Sequence, residues 1–129
     1  MLRRALRSKI HKAHITHADL QYEGSITIPP ALLSASNIMP YEAVHIWYVT
    51  NGNRLETYAI KGENETDISM NGAAAHLCQP GDVIIIACFA YYSSQDLITH
   101  SPALIFTDEN NRIKSIRNEV AGPNLYEGQ

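Results

Sequence analysis

Ser25 follows Gly24 in the run His17-Ala18-Asp19-Leu20-Gln21-Tyr22-Glu23-Gly24-Ser25, a pair whose hydroxyl and carbonyl could, in the right setting, break the bond between them. A serine hydroxyl held against the preceding carbonyl carbon converts the amide to an ester. Loss of the serine α proton then expels the glycine carboxylate and leaves dehydroalanine, which water turns into a keto cap with release of ammonia. Glycine before the serine suits this step, because a residue without Cβ takes strained conformations and permits close approach. Taken alone, Gly-Ser is a very weak signal whose ordinary meaning is a turn entering a strand. Arg54, four residues before Tyr58, offers a planar fork for a carboxylate. Such a charge-assisted contact is worth about 1.5–3 kcal/mol, enough to discriminate against an uncharged side chain. The run Asn71-Gly72-Ala73-Ala74-Ala75 has side chains too small to cover its own backbone N–H groups, which suits a pocket floor. Asn71 capping a first helical turn reads the same letters differently, and a helix start is itself an anion site. His11, His14 and His17 do not form a metal set. Residues three apart face opposite sides of a strand and spread across a broad face of a helix.

The combination is more specific than its parts. Lys9, His11, Tyr22-x-Gly24-Ser25, Trp47, Asn51-Gly52, Arg54-x-x-Thr57-Tyr58 and Asn71-Gly72-Ala73-Ala74-Ala75 occur in an order and spacing that resembles the pyruvoyl-dependent aspartate alpha-decarboxylases. The match runs over about residues 3–117. The resemblance implies self-cleavage between Gly24 and Ser25, with Thr57 assisting. It gives a β chain 1–24 and an α chain 25–129 capped by a pyruvoyl group made from Ser25. That group condenses with the substrate amine as an imine and acts as an electron sink. The implied proton donor is Tyr58; phenols hold their proton at neutral pH. Lys9, Arg54, Thr57 and the backbone of Gly72, Ala73 and Ala74 are implied substrate contacts. His11, Tyr22 and Asn71 support them. The implied reaction is L-aspartate to β-alanine and CO2, for pantothenate and coenzyme A synthesis, without metal or pyridoxal phosphate. The implied assembly is a homotetramer with sites between subunits, and the need for a maturation factor stays open. Two departures are mild: Pro29-Pro30 replaces a more polar segment, and the tail beyond Val120 has no counterpart.

These residues need a frame. At 129 residues, 45% hydrophobic and 18% charged, the chain suits a single domain with one core. The longest apolar run, 83–92, is far short of a membrane span and reads as a buried strand. The start carries Arg3, Arg4 and Arg7 without the apolar stretch of a signal peptide, so a cytoplasmic protein is expected. Cys78 and Cys88 allow one disulfide at most and read as reduced core thiols.

Short β-branched runs with turn punctuation predict an all-β fold with short helices. Strands are expected over 25–28, 44–49, 55–60, 83–89, 104–107 and 112–117. Asn51-Gly52 marks a hairpin. Pro29-Pro30 opens a short helix over 30–36 that ends near Asn37. Periodicity does not choose between barrel and sandwich; the resemblance implies a six-stranded double-psi β-barrel.

Net charge is −3 but uneven. Residues 1–24 hold five basic groups (Arg3, Arg4, Arg7, Lys9, Lys12) against Asp19 and Glu23, and the remainder holds five basic against eleven acidic. A basic arm can serve nucleic acid, but the aromatic interleaving of a single-strand binder is missing, and no nucleic-acid or membrane partner is expected. An arm retained by its acidic partner after a cut explains the asymmetry as well, provided strand pairing holds the pieces together. Two rival readings are a non-enzymatic small β-barrel binding module and a pyruvoyl decarboxylase for another acidic amino acid.

Overall fold

Asn51-Gly52 turns the chain tightly, with Gly52 at φ 79, and the strands on either side pair from Ala43↔Tyr58 to Trp47↔Arg54. This hairpin sits mid-sheet. The computed structural model describes residues 1–119; the tail 120–129 lies outside the described residues. In chain order the elements are β1 (Leu2–His14), β2 (His17–Asp19), β3 (Ser25–Ile28), α1 (Pro30–Ser36), β4 (Ala43–Tyr48), β5 (Arg54–Lys61) and β6 (Ser69–Asn71). A 3-10 turn (Gly72–Leu77), β7 (Val83–Ser93), α2 (Ser94–Thr99), β8 (Ala103–Thr107) and β9 (Ile113–Asn118) follow. No helix among the described residues is long and apolar enough to cross a membrane.

The strands form one nine-stranded sheet in the order β2-β6-β3-β5-β4-β7-β1-β8-β9. Pairs β1–β8, β2–β6 and β3–β5 are parallel, and the others are antiparallel. The all-β expectation holds, with nine strands among the described residues where six were expected. The chain leaving β1 ties the sheet's two ends together. Ile15 N–H donates to the Asp82 carbonyl (2.9 Å), and Thr16 N–H donates to the Ile68 carbonyl just before β6 (2.8 Å). Asn111, buried in the β8–β9 turn, donates from Nδ2 to the carbonyls of His14 (2.9 Å) and Thr66 (2.8 Å). The sheet is thereby curled around a core rich in isoleucine: Ile10, Ile26, Ile28, Ile46, Ile84 and Ile86 are all fully buried. Each such side chain contributes about 1.5–3 kcal/mol of burial.

The basic N-terminal segment is not an arm. As β1 it pairs with β7 along almost its whole length and with β8 on the other side, while β2 pairs with β6. A cut at Gly24-Ser25 therefore leaves residues 1–24 held by strand pairing. α1 matches its expected bounds: Pro30 takes the first turn, where its missing N–H costs nothing, and Asn37 closes the helix at φ 56. Cys88 is fully buried and Cys78 half-buried, and both are free thiols. Arg7 bridges β1 to the α1–β4 connection through the Asn37 carbonyl (2.7 Å) and the Glu42 carboxylate, and reaches Cys88 Sγ on β7 (2.8 Å). Burial pushes the Cys88 thiol up to about 12, with the Glu42 hydrogen bond adding to it. Burial also raises the Glu42 carboxyl, but bonds from Cys88, the Met39 N–H and Arg7 outweigh it, and the net shift is downward.

Candidate active site

β3 carries Ser25 into the centre of the fold, between β5 on one side and β6 on the other. Its parallel register with β5 pairs Ile26 with Ala59, so two residues earlier Gly24 comes alongside Thr57. Its antiparallel register with β6 sets Ser25 opposite Asn71 and Thr27 opposite Ser69. Gly24, Thr57, Asn71, Ala73 and Ala74, with Leu55, Glu56 and Leu77, line one cavity of about 340 Å³. Ser25 is fully buried and has φ 139. A side chain in that region costs on the order of 1–3 kcal/mol, which the surrounding pairing must hold in place.

Two features refine the expectation. Space for a side chain is not what calls for glycine at position 24, where an added Cβ meets nothing within 4 Å; the approach that excludes a side chain is at Gly72, at φ 69. A Cβ on Gly72 would lie 2.7 Å from Gly24 Cα and N and 3.0 Å from the Tyr22 carbonyl oxygen. Of the two readings open for Asn71, the capping one is not realised: its side chain makes no cap bond to the following 3-10 turn. It turns instead to β3. Asn71 Nδ2 donates to Ser25 Oγ (3.0 Å) and Thr27 Oγ1 (3.1 Å), while its Oδ1 accepts from Ser69 Oγ (2.8 Å). The small residues thus serve backbone-to-backbone contact as well as openness.

The remaining sequence-selected side chains divide across the sheet. Along β5, Arg54, Glu56 and Tyr58 face outward and Leu55, Thr57 and Ala59 inward. Tyr58, 39% exposed, lines a second, wider concavity of about 800 Å³ with Tyr22, Glu23, Pro40 and Tyr41. Gly24 thus shares one cavity with Thr57 and Asn71, while the residues just before it, Tyr22 and Glu23, line the concavity that holds Tyr58. Arg54 lies over the Trp47 ring, 5.0 Å from its centroid, at the far end of β5. Lys9 on β1 faces Glu119 (3.5 Å). The register Lys9↔Ala87, Ala87↔His45, His45↔Glu56 places it three strand spacings, about 14 Å, from β5. His11 stacks edge-on against Phe106 (5.4 Å), and burial together with Lys12, Lys9 and Arg117 lowers its pKa. One chain brings together Gly24, Ser25, Thr57, Asn71, Gly72, Ala73 and Ala74. It does not bring Lys9, His11 or Arg54 to them.

The sequence has counterparts among known proteins. A family model described as aspartate decarboxylase matches residues 1–114. The chain belongs to that family. It is similar to the aspartate 1-decarboxylase of Legionella pneumophila strain Lens, with 57% identity over 93% of this chain and 91% of the relative. It is similar also to that of Rhodopirellula baltica, with 54% identity over 95% and 80% of the two chains, and to that of Dehalococcoides mccartyi, with 48% identity over 93% and 98%.

For this aspartate decarboxylase family member, sequence reasoning passed over Ser69 and Thr27. Their signal is a period of two: Ser25-x-Thr27 and Ser69-x-Asn71 place four polar groups on one face of a two-strand ribbon. Among the described residues no three His, Cys, Asp or Glu side chains are grouped to hold a metal ion, and His11, His14 and His17 do not converge.

Proposed function

We propose that this family member cuts itself between Gly24 and Ser25 and then decarboxylates L-aspartate to β-alanine and CO2, supplying pantothenate and coenzyme A synthesis in the cytoplasm. The observation that carries the reading is Ser25 itself: a fully buried serine with strained φ, its Oγ hydrogen-bonded by Asn71, beside Gly24 and Thr57 at a cavity. A surface turn entering a strand has no use for that set. The residues fit a pyruvoyl group, since the serine that would become one is already enclosed and its neighbours are small. When formed, the group supplies an electron sink for the pair left behind as CO2 departs. No metal or pyridoxal phosphate belongs to this reading.

The protein's own groups do the rest. Thr57 offers its hydroxyl beside the Gly24 carbonyl during the cut and beside substrate afterwards. Backbone N–H groups of Gly72, Ala73 and Ala74 take substrate oxygens at the cavity floor. Tyr58, at the rim of the Tyr22 concavity, gives the proton that replaces the lost carboxylate. Arg54 grips the carboxylate that is kept, which favours an acidic substrate. The assembly proposed with this reading is a homotetramer, and the separation of Lys9 and His11 from Ser25 within one chain supports sites that lie between subunits, where a neighbour's strands deliver the missing cations.

The test is chemical capture. Borohydride with L-aspartate should join the amino acid to the N-terminus of the 25–129 fragment, and borohydride with a neutral amino acid should not. Failure to capture L-aspartate on fully cut protein sinks the proposal. Turnover on L-glutamate exceeding that on L-aspartate reassigns the substrate.

A further inference from the structure

Asn71 is an amide with two ends, and only one orientation helps Ser25. With Nδ2 toward β3, it donates one hydrogen to Ser25 Oγ (3.0 Å) and the other to Thr27 Oγ1 (3.1 Å). Reversed, its carbonyl oxygen would face both hydroxyls and compete for the proton that Ser25 must lose. In this orientation both Nδ2 hydrogens find acceptors, and Ser69 completes the set by donating its Oγ to Asn71 Oδ1 at 2.8 Å; turned over, Nδ2 would give one hydrogen to Ser69 Oγ and leave the other without a partner on β3. The backbone register brings the four side chains within reach of one another: Ser25↔Asn71 and Thr27↔Ser69 are directly opposed pairs on one face of the β3–β6 ribbon. Thr27 is itself held. Its methyl group would lie 3.1 Å from a Cβ on Gly62, a tight contact that a side chain there would meet only by shifting Thr27 by a few tenths of an ångström. Asn71 is buried, and an amide turned the wrong way in that setting would leave polar atoms unmatched.

We propose that Ser69 and Thr27 are positioning residues for self-cleavage: they lock the Asn71 amide so that it aims a donor at Ser25 Oγ. This rests on the proposed self-cleavage and adds to it the residues that set its geometry. The chemistry gives the donor two uses. As Oγ attacks the Gly24 carbonyl carbon, the Oγ–C bond forms and the Gly24–Ser25 C–N bond breaks; the hydroxyl proton ends on the freed amine. A hydrogen bond to Oγ favours loss of that proton. When the Ser25 α proton is then removed, the Oγ–Cβ bond breaks and Oγ leaves as an oxygen of the Gly24 carboxylate, again facing the Asn71 donor. Water replaces the enamine nitrogen as ammonia, completing the balance.

The experiment follows the full chain made by cell-free synthesis, sampled by intact mass as it matures. A parallel set contains hydroxylamine, which intercepts the ester as a Gly24 hydroxamate and a serine-led 25–129 fragment. Ser69→Ala should slow both maturation and hydroxamate formation by roughly three- to tenfold, the loss expected for one buried hydrogen bond. Ser69→Thr, which keeps the hydroxyl, should restore the wild-type rate. Thr27→Val tests the clasp from its other end, should Ser69→Ala fold poorly, and should slow the same two readouts by a smaller factor. Ser69→Ala and Thr27→Val maturing at the wild-type rate overturn the inference while leaving self-cleavage intact. Ser69→Thr as slow as Ser69→Ala overturns it too, because the hydroxyl would then not be what matters. Wild-type chain that never cuts removes the self-cleavage reading itself.

Discussion

Gly72 lies so close to Gly24 that a methyl group on it would reach within 2.7 Å of the Gly24 Cα and N. The start of the 3-10 turn is thus the back wall that holds the Gly24-Ser25 segment against β5. Backbone meets backbone here, and neither side has a flexible end that can move aside.

Gly72→Ala is therefore expected to fail twice. Positive φ and the overlap together cost roughly 2–4 kcal/mol, and relief comes by displacing Gly24 from Thr57. Expected outcomes are a lowered thermal midpoint and loss of the cut by intact mass. Gly24→Ala, with open space at its Cβ, should keep a wild-type thermal midpoint. Equal midpoints for the two variants would contradict the packing account.

Thr57 shares the cavity with Gly24 through the β3–β5 register. Thr57→Val keeps the shape and removes the hydroxyl, so the fold should persist. Cleavage should slow on the order of 10²-fold, the usual loss for one donor at a developing oxyanion. A time course of fragment appearance checks this, and an unchanged rate would remove Thr57 from the step.

Arg54 faces outward on β5 and stacks on Trp47. Arg54→Ala should raise KM for L-aspartate by roughly ten- to hundredfold, the loss of a charge-assisted carboxylate contact. Cleavage at Gly24 should continue normally, because Arg54 does not line the cavity of Gly24 and Thr57. Steady-state kinetics on fully cut protein separates these effects.

The Arg7–Glu42–Cys88 contact predicts an acid-sensitive element. Glu42 titrates below its ordinary value of 4.5 in the folded chain. The unfolded chain then binds the proton more readily, so the contribution is complete above pH 4.5 and is lost as pH falls through the lower folded value. Glu42→Gln should lower the thermal midpoint most near pH 7 and progressively less below pH 4.5. A gap that stays constant down to pH 3 would contradict the assignment.

Much of the frame is written locally. Asn51-Gly52 demands its hairpin, Pro30 and Asn37 bracket α1, and the β-branched run Ser25–Ile28 forms β3 with the expected ends. β1 is harder to read because register shifts between Leu6 and Ser8 and between Ile10 and Ala13, with Lys12 at φ 60, break its alternation. Its arginines and lysines then look like a solvated arm. α2 escaped notice: its N-cap bond, from Asp96 N–H to Ser93 Oγ, is a single contact following a long apolar run. Within the site, Gly24, Ser25, Thr57 and Gly72 were legible as letters. The direction of the Asn71 side chain was not, since it depends on partners 46 and 44 residues away in sequence. Lys9 and Arg54 carry suitable charges, but three strand spacings separate them in one chain, a distance no one-dimensional spacing reveals.

The most direct measurement is the intact mass of purified protein after prolonged incubation. Two fragments should appear, one ending at Gly24 with a free carboxylate and one beginning at residue 25, lighter by one ammonia than a fragment led by serine. Ser25→Ala should remain a single inactive chain. An uncut wild-type chain that still releases CO2 from L-aspartate, or an active Ser25→Ala variant, would contradict the account.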